Sequence, residues 1–404
     1  MVKSISFKSG VLKAAIAIFL VAGLGPTAVA AHADIGKPPL PHPKYVITEL
    51  ETVGGSSGAG SSINNQGWVT GTSNVAGDQY SHATLWRNGA ATDLGTLGGP
   101  NSAVLWPQKN EHGLVVGIAE TDQNDPRDEL WSCFYFFPSD STGRACRGFV
   151  WERNSMRALP TFGGTHGFAA GLNNRGQVVG WAELAAEDPT CNAPQALGFH
   201  AALWDTRRGD LIQDLAPLPG DRASAATAVN DDGHVVGISG DCADAVGGFS
   251  ARHAVMWRDG HVREIGDFGG EAWNTPMAIN GSGVVVGFAN AAGTPGATFD
   301  ERAFVWAEQS GIRALRSLRG HTRAQALGVN DLGQIVGMSR ATGQRGHAVV
   351  WSHGRVVDLN QVAPGYAGHM LSANDVNDDG IITGQAVTAS GRTVAFVATP
   401  VEDR

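Results

Sequence analysis

The chain has 404 residues, 17% of them charged, and its 38 Asp and Glu against 29 Lys and Arg give a formal net charge of −9. That balance, with no stretch in which Lys and Arg cluster, excludes a nucleic-acid partner, because phosphate binding is driven by grouped basic side chains. Sparse charge and 55 glycines indicate a turn-rich chain of β character.

The N-terminal segment carries Lys3, Lys8 and Lys13, then an apolar run from Ala14 to Gly25, then small residues ending in an Ala-x-Ala pattern. This reads as a secretory signal peptide, residues 1–33, cut after Ala33. The run is about 12 residues, too short for a spanning helix, which needs roughly 20. No later stretch is apolar enough to span, so the expected location is secreted, periplasmic or extracellular. Residues 34–44 read as a Pro-rich linker, 45–400 as the folded body and 401–404 as a tail.

From Tyr45 onward one motif recurs seven times, starting at Asn64, Asn110, Asn173, Asn230, Asn280, Asn330 and Asn377. Each copy fits N-x-x-G-x-[VI]-[VT]-G or a close variant such as "NEHGLVVG", and successive copies are 46, 63, 57, 50, 50 and 47 residues apart. Equal units with variable insertions define a repeat protein. Every unit has four pieces: an apolar-polar run such as "ATDLGTLGG", a small-residue run ending near Asn, a "GQVVG"-type run, and a run such as "HAVMW". The pieces are short, β-branched or aromatic, and bounded by Gly, Asn or Asp, so they are strands.

The last pieces read "HATLW", "RGFVW", "HAALW", "HAVMW", "RAFVW", "HAVVW" and the degenerate "VAFVA". These units resemble the HAF-repeat family of probable extracellular repeat proteins, whose label comes from runs such as Arg302-Ala303-Phe304. The resemblance covers roughly Tyr45 to Pro400 and implies export and a repetitive β fold. It brings no catalytic residues to carry over. The second unit departs most, with "VLWPQKN" where other copies have small residues and an apolar residue before Asn.

The Asn-x-x-Gly and Trp-x-x-Gly segments are tight turns, so each blade is built from pieces two, three and four of one unit and piece one of the next. An extra first strand should then stand at the N-terminus, and "YVITELETVGG" is in place to complete the last blade. The predicted fold is all-β, a seven-bladed propeller of four-stranded blades closed by the N-terminal strand, which removes exposed edges; an open β solenoid is the alternative. Trp86, Trp151, Trp204, Trp257, Trp306 and Trp351 should pack between blades. His82, His200, His253 and His347 occupy positions where other copies have Arg or Val, which points to structural hydrogen bonding rather than a shared metal role.

Function is then sought where the copies differ, in the inter-blade loops and the loops between pieces three and four, which emerge on one face. The inter-blade loops offer Ser57, Asn101, His166, Arg222, Glu271, Trp273, His321, Arg323, Tyr366 and His369. The other loops are longest in units two to four and hold all four cysteines, Cys133, Cys146, Cys191 and Cys242, as disulfide candidates with three connectivities open. Residues 120–146 join Asp122, Asp125, Asp128 and Glu129 to Trp131, Phe134, Tyr135, Phe136 and Phe137, either a glycan-contacting cluster or a small apolar core under a tied loop. "DVNDDG" starts like a calcium loop but lacks the bidentate Glu, so no metal or cofactor is expected.

The candidate ligand contacts are Asn101, Trp131, Tyr135, His166, Arg222, Glu271, Trp273, His321 and His369. The leading expectation is an exported, monomeric, non-enzymatic module binding a polysaccharide or protein. The alternatives are a secreted glycan-active hydrolase or lyase working through His166, Glu271, His321 and His369, and a structural cell-envelope or matrix protein.

Overall fold

The computed structural model describes residues 43–129, 136–137, 142–243, 245 and 247–401. Among them the chain forms 28 β-strands in seven antiparallel sheets of four. The sheets are the blades of a seven-bladed β-propeller around a common axis. Blade 1 runs Gly54–Ile63, Val69–Val75, Ser81–Arg87 and Ala90–Asp93 from axis to rim, and blades 2 to 6 repeat that order. The first strands of blades 3 to 7 contact one another in turn around the axis, and that of blade 7 contacts that of blade 1.

Blade 7 is closed as the sequence predicts. Its first three strands, His369–Val376, Ile382–Val387 and Thr393–Val401, come from the end of the fold, and the fourth, Lys44–Glu49, comes from the beginning. Tyr45 pairs with Pro400 and Glu49 with Phe396 in antiparallel register. Closure through a hydrogen-bonded strand pair leaves no open end to the ring.

Seven apolar clusters fill the seven gaps between blades, and the repeated Trp anchors six of them. Trp86 lies with Ile63, Val69 and Ala395 between blades 7 and 1. Trp151, Trp204, Trp257, Trp306 and Trp351 take the same place at the next five gaps that carry them. Four of the indoles donate Nε1–H to a carbonyl of the preceding segment, Glu51, Pro160, Ala216 and Arg316, at 2.7 to 2.9 Å. A buried indole keeps its polar atom satisfied in this way. Between blades 6 and 7 the last copy has Ala398 instead, and the N-terminal strand supplies Tyr45 to that cluster.

The Asn of the repeated motif closes a second ring. Each side-chain Nδ2 donates to the backbone carbonyl of the next Asn, from Asn64 to Asn110 at 3.1 Å and onward through Asn173, Asn230, Asn280, Asn330 and Asn377. Asn377 donates back to Asn64 at 3.1 Å. The same side chains accept with Oδ1 from the N–H four residues on, as Asn173 does from Gln177 at 3.0 Å. One amide thus shapes its own turn and holds the neighbouring blade. Gly, at φ +72° in Gly176, completes the turn because its left-handed backbone has no Cβ to strain.

Blade 2 departs from the pattern for a visible reason. Lys109 stands where other copies have an apolar residue, and its Nζ reaches past blade 1 to Asp375 Oδ1 of blade 7 at 2.8 Å. Asp375 is fully buried and also accepts from the Ile63 N–H at 3.0 Å and Ser62 Oγ at 3.2 Å. The pair spans both sides of the seam where the N-terminal strand closes the ring.

Candidate functional site

The Asn turns lie on one face, the turn face. The inter-blade loops and the loops joining second to third strands lie on the other, the loop face. The latter loops are short in blades 1, 6 and 7 (76–80, 341–346, 388–392) and long in blades 2 to 5 (125–143, 188–196, 241–252, 291–300). The loop face therefore has two sectors, one roofed and one open.

Under the roof, an eighth apolar cluster joins Ala103, Phe168, Ala225 and Met277 of the first strands to Ile118, Trp181, Ile238 and Phe288 of the second strands. Phe136 and Phe137, from the long loop of blade 2, pack into it. Phe168 stacks on Trp181 with centroids 4.4 Å apart, and Trp106 meets both edge-on. For these two Phe residues the small-core reading of the 120–146 segment holds, while Trp131 and Tyr135 lie outside the described residues. Cys191 and Cys242 form a disulfide that ties the blade 3 loop to the blade 4 loop. Cys146 is disulfide-bonded as well, and Cys133 lies outside the described residues.

A buried ionisable network pins the roof. Asp125 accepts from the Arg127 and Glu129 N–H groups at 3.0 and 2.5 Å, and Glu129 Oε1 accepts from the Ala196 and Leu197 N–H groups of blade 3 at 2.8 and 2.7 Å. Glu183 Oε2 accepts from the Thr165 and His166 N–H groups, both at 2.9 Å. Burial pushes the Glu183 carboxyl up, against the pull of His166. Burial also pushes Asp125 up, but contact with His166 and the two N–H donors outweigh it and hold the carboxyl low.

Asp125, Glu129 and His166 bring potential ligand atoms within 4.8 Å of one another, a spacing compatible with a metal ion. The imidazole argues against it. Its Nδ1 accepts the Cys146 N–H at 3.1 Å, which puts the ring proton on Nε2, 3.2 Å from Asp125 Oδ2. Neither nitrogen then has a lone pair to offer. The trio is a clasp held by backbone N–H donors, with His166 in close contact with Asp125.

The sequence-derived candidates separate into two groups. Asn101, His166 and Trp273 are buried at 0, 1 and 7% exposure and act inside the roof: Asn101 accepts from Ser81 N–H and donates to Glu120, and Trp273 packs against Phe299. Trp273 holds φ at +67°, a strained value for a large side chain. Arg222 and Glu271 are exposed on inter-blade loops. In the open sector His321 and His369 flank His347, with ring centroids 5.0 and 4.6 Å from it. Burial and the neighbouring His347 push His321 down.

Sequence reasoning left His347 among the structural residues, and its contacts agree. His347 Nδ1 pairs with Asp358 at 2.9 Å, as His82 does with Asp93, His200 with Asp214 and His253 with Glu264. A His–acid pair repeated in four blades is scaffold. The "DVNDDG" atoms are likewise committed: Asp375 to Lys109, Asn377 to the amide ring, and Asp378 to the Asp331 N–H at 2.9 Å.

No protein-family model and no curated protein matches the chain. Among solved structures it is similar to the acylaminoacyl peptidase of Pyrococcus horikoshii, with 11% identity, a TM-score of 0.50, and coverage of 86% of this chain but only 52% of the peptidase. A virginiamycin B lyase from Staphylococcus aureus aligns over 89% of this chain and 90% of its own at 9% identity and a TM-score of 0.32. A mutant of AofleA from Arthrobotrys oligospora aligns over 88% and 86% at 11% identity and a TM-score of 0.32. At such identities the likeness concerns the fold alone.

Proposed function

We propose that this chain is an exported β-propeller that binds a polysaccharide or a protein on its loop face. The observation that carries the reading is the division of labour between faces: the repeated polar side chains close the turn face on itself, while the unshared ones gather on the loop face. Binding residues concentrate on loops held by a rigid scaffold. The Cys191–Cys242 bond supports an oxidising location, as the resemblance to HAF-repeat proteins does. Arg222, Glu271, His321 and His369 are the contact candidates, and Trp131 and Tyr135, outside the described residues, are carried from the sequence as further ones.

The test is to incubate the purified protein with bacterial and plant polysaccharides and follow both retention and release of smaller sugars. Retention without release is the expected result. Release of products would replace the reading with a hydrolase or lyase, and neither signal would leave a protein ligand or a structural role.

A further inference from the structure

Charge on the loop face is divided between the two sectors in a way that the overall charge of −9 hides. The long loops 125–143, 188–196 and 241–252 carry seven carboxylates and two arginines. In the short-loop sector, segments 315–323, 341–346 and 388–392 carry Arg316, Arg319, Arg323, Arg345 and Arg392 and no Asp or Glu, while the blade 1 loop 76–80 carries Asp78. Contacts tie segments 315–323 and 341–346 to each other and to the start of the first strand of blade 7. Thr322 N–H donates to the Arg340 carbonyl at 3.2 Å, His369 Nε2 to the Gly346 carbonyl at 2.8 Å, and the three imidazoles touch in series.

The acids bordering the surface already have partners. Asp300 pairs with Arg323 at 3.0 Å, Glu301 with Arg340 at 2.7 Å and Asp358 with His347 at 2.9 Å, while Glu49 accepts from the Tyr366 hydroxyl at 3.1 Å. Arg319, Arg345 and Arg392 are exposed and pair with no carboxylate among the described residues. Three exposed guanidinium groups free to fork onto carboxylates set the sign of a ligand for this sector.

We propose that the open sector over blades 6 and 7 is a docking surface for a polysaccharide that bears carboxylates, with Arg319, Arg345 and Arg392 as its primary contacts. This rests on the binding reading above and names its ligand class. Planar guanidinium donors match carboxylates in pairs, and a polymer offers them at intervals along an extended chain.

The test measures retention and affinity of the full chain with polygalacturonate, dextran and a DNA duplex at low and high salt. Polygalacturonate should bind about tenfold or more tightly than dextran and weaken as salt rises. The Arg319→Ser/Arg345→Ser/Arg392→Ser variant should lose that preference while its unfolding midpoint stays unchanged. Dextran binding as tight as polygalacturonate binding, or polygalacturonate binding untouched by the triple substitution, overturns this inference and leaves the polysaccharide reading standing. Equal binding of DNA overturns the carboxylate assignment, and a dimer that the triple substitution dissolves assigns the surface to the acidic sector of a second copy. Retention of no polysaccharide sinks the inference together with the polysaccharide arm of the broader reading.

Discussion

On the turn face one amide performs the same task in seven equivalent places, whereas on the loop face the insertions, the disulfide and the buried acids are each particular to their blade. The amide ring demands equal spacing between blades, so it accepts no insertion. Loops between second and third strands face no such demand and range from 76–80 in blade 1 to 125–143 in blade 2. Shape is fixed on one side of the molecule and left free on the other, the division expected of a repeat scaffold whose recognition is borne by loops.

Three substitutions set these regions against each other. Replacing Cys191 and Cys242 by Ser opens a loop of sequence separation 51 and removes the tie between two insertions; the loop-entropy relation puts the loss at about 4 kcal/mol in denaturant unfolding. If the roof instead stands without the bond, the double variant will unfold at the wild-type midpoint. Lys109→Met leaves Asp375 buried without its cation and should cost about 3 kcal/mol, the penalty of an uncompensated interior charge. Adding Asp375→Asn to that variant should recover part of the loss, and no recovery would remove the pair from the account of closure.

Asn→Ala in the ring is smaller and more diagnostic. Asn173→Ala removes the donor to Asn230 and the acceptor of the Arg175 and Gln177 N–H groups, at a cost of about 2 kcal/mol. The same substitution at Asn280 or Asn377 should cost nearly the same, because all three positions share the bond to the next Asn and the bond from the N–H four residues on. Widely unequal losses would show that the seven positions are equivalent in form only.

Much of this was legible from spacing. Seven Asn-x-x-Gly copies and a surplus first strand determine blade number and closure, since local turns and strand periodicity carry that information. Contacts between distant segments carry none of it. "VLWPQKN" stands out as irregular, but the partner that explains Lys109 lies 266 residues away in Asp375. Asn101 and His166 look like mouth residues because they sit on polar loops; in the fold Asn101 is tied to Ser81 and Glu120 and His166 to Cys146 and Asp125, contacts that loop length does not encode. The basic sector does not stand out in the sequence because Arg319, Arg345 and Arg392 lie on three separate loops, and only the stacking of blades 6 and 7 puts those loops on one face.

The smallest expected effect concerns the roof's own chemistry. Burial holds the Glu183 carboxyl above its ordinary value in the folded chain. Once pH rises past the unfolded carboxyl's value, about 4.3, the unfolded chain releases a proton that the folded chain retains. Stability from this group therefore declines as pH rises from there through the folded value, and is undiminished below it. Asp125 has the opposite sign, being held low in the folded state, and adds stability that is lost as pH falls through its folded value. Glu183→Gln removes the first contribution and leaves the second, whose change falls at lower pH, so stability should fall less with rising pH in the variant than in the wild type between about pH 4 and pH 7. Parallel pH profiles would mean that the N–H donors to Glu183 offset its burial, so that the carboxyl ionises in the folded chain as it does in the unfolded one.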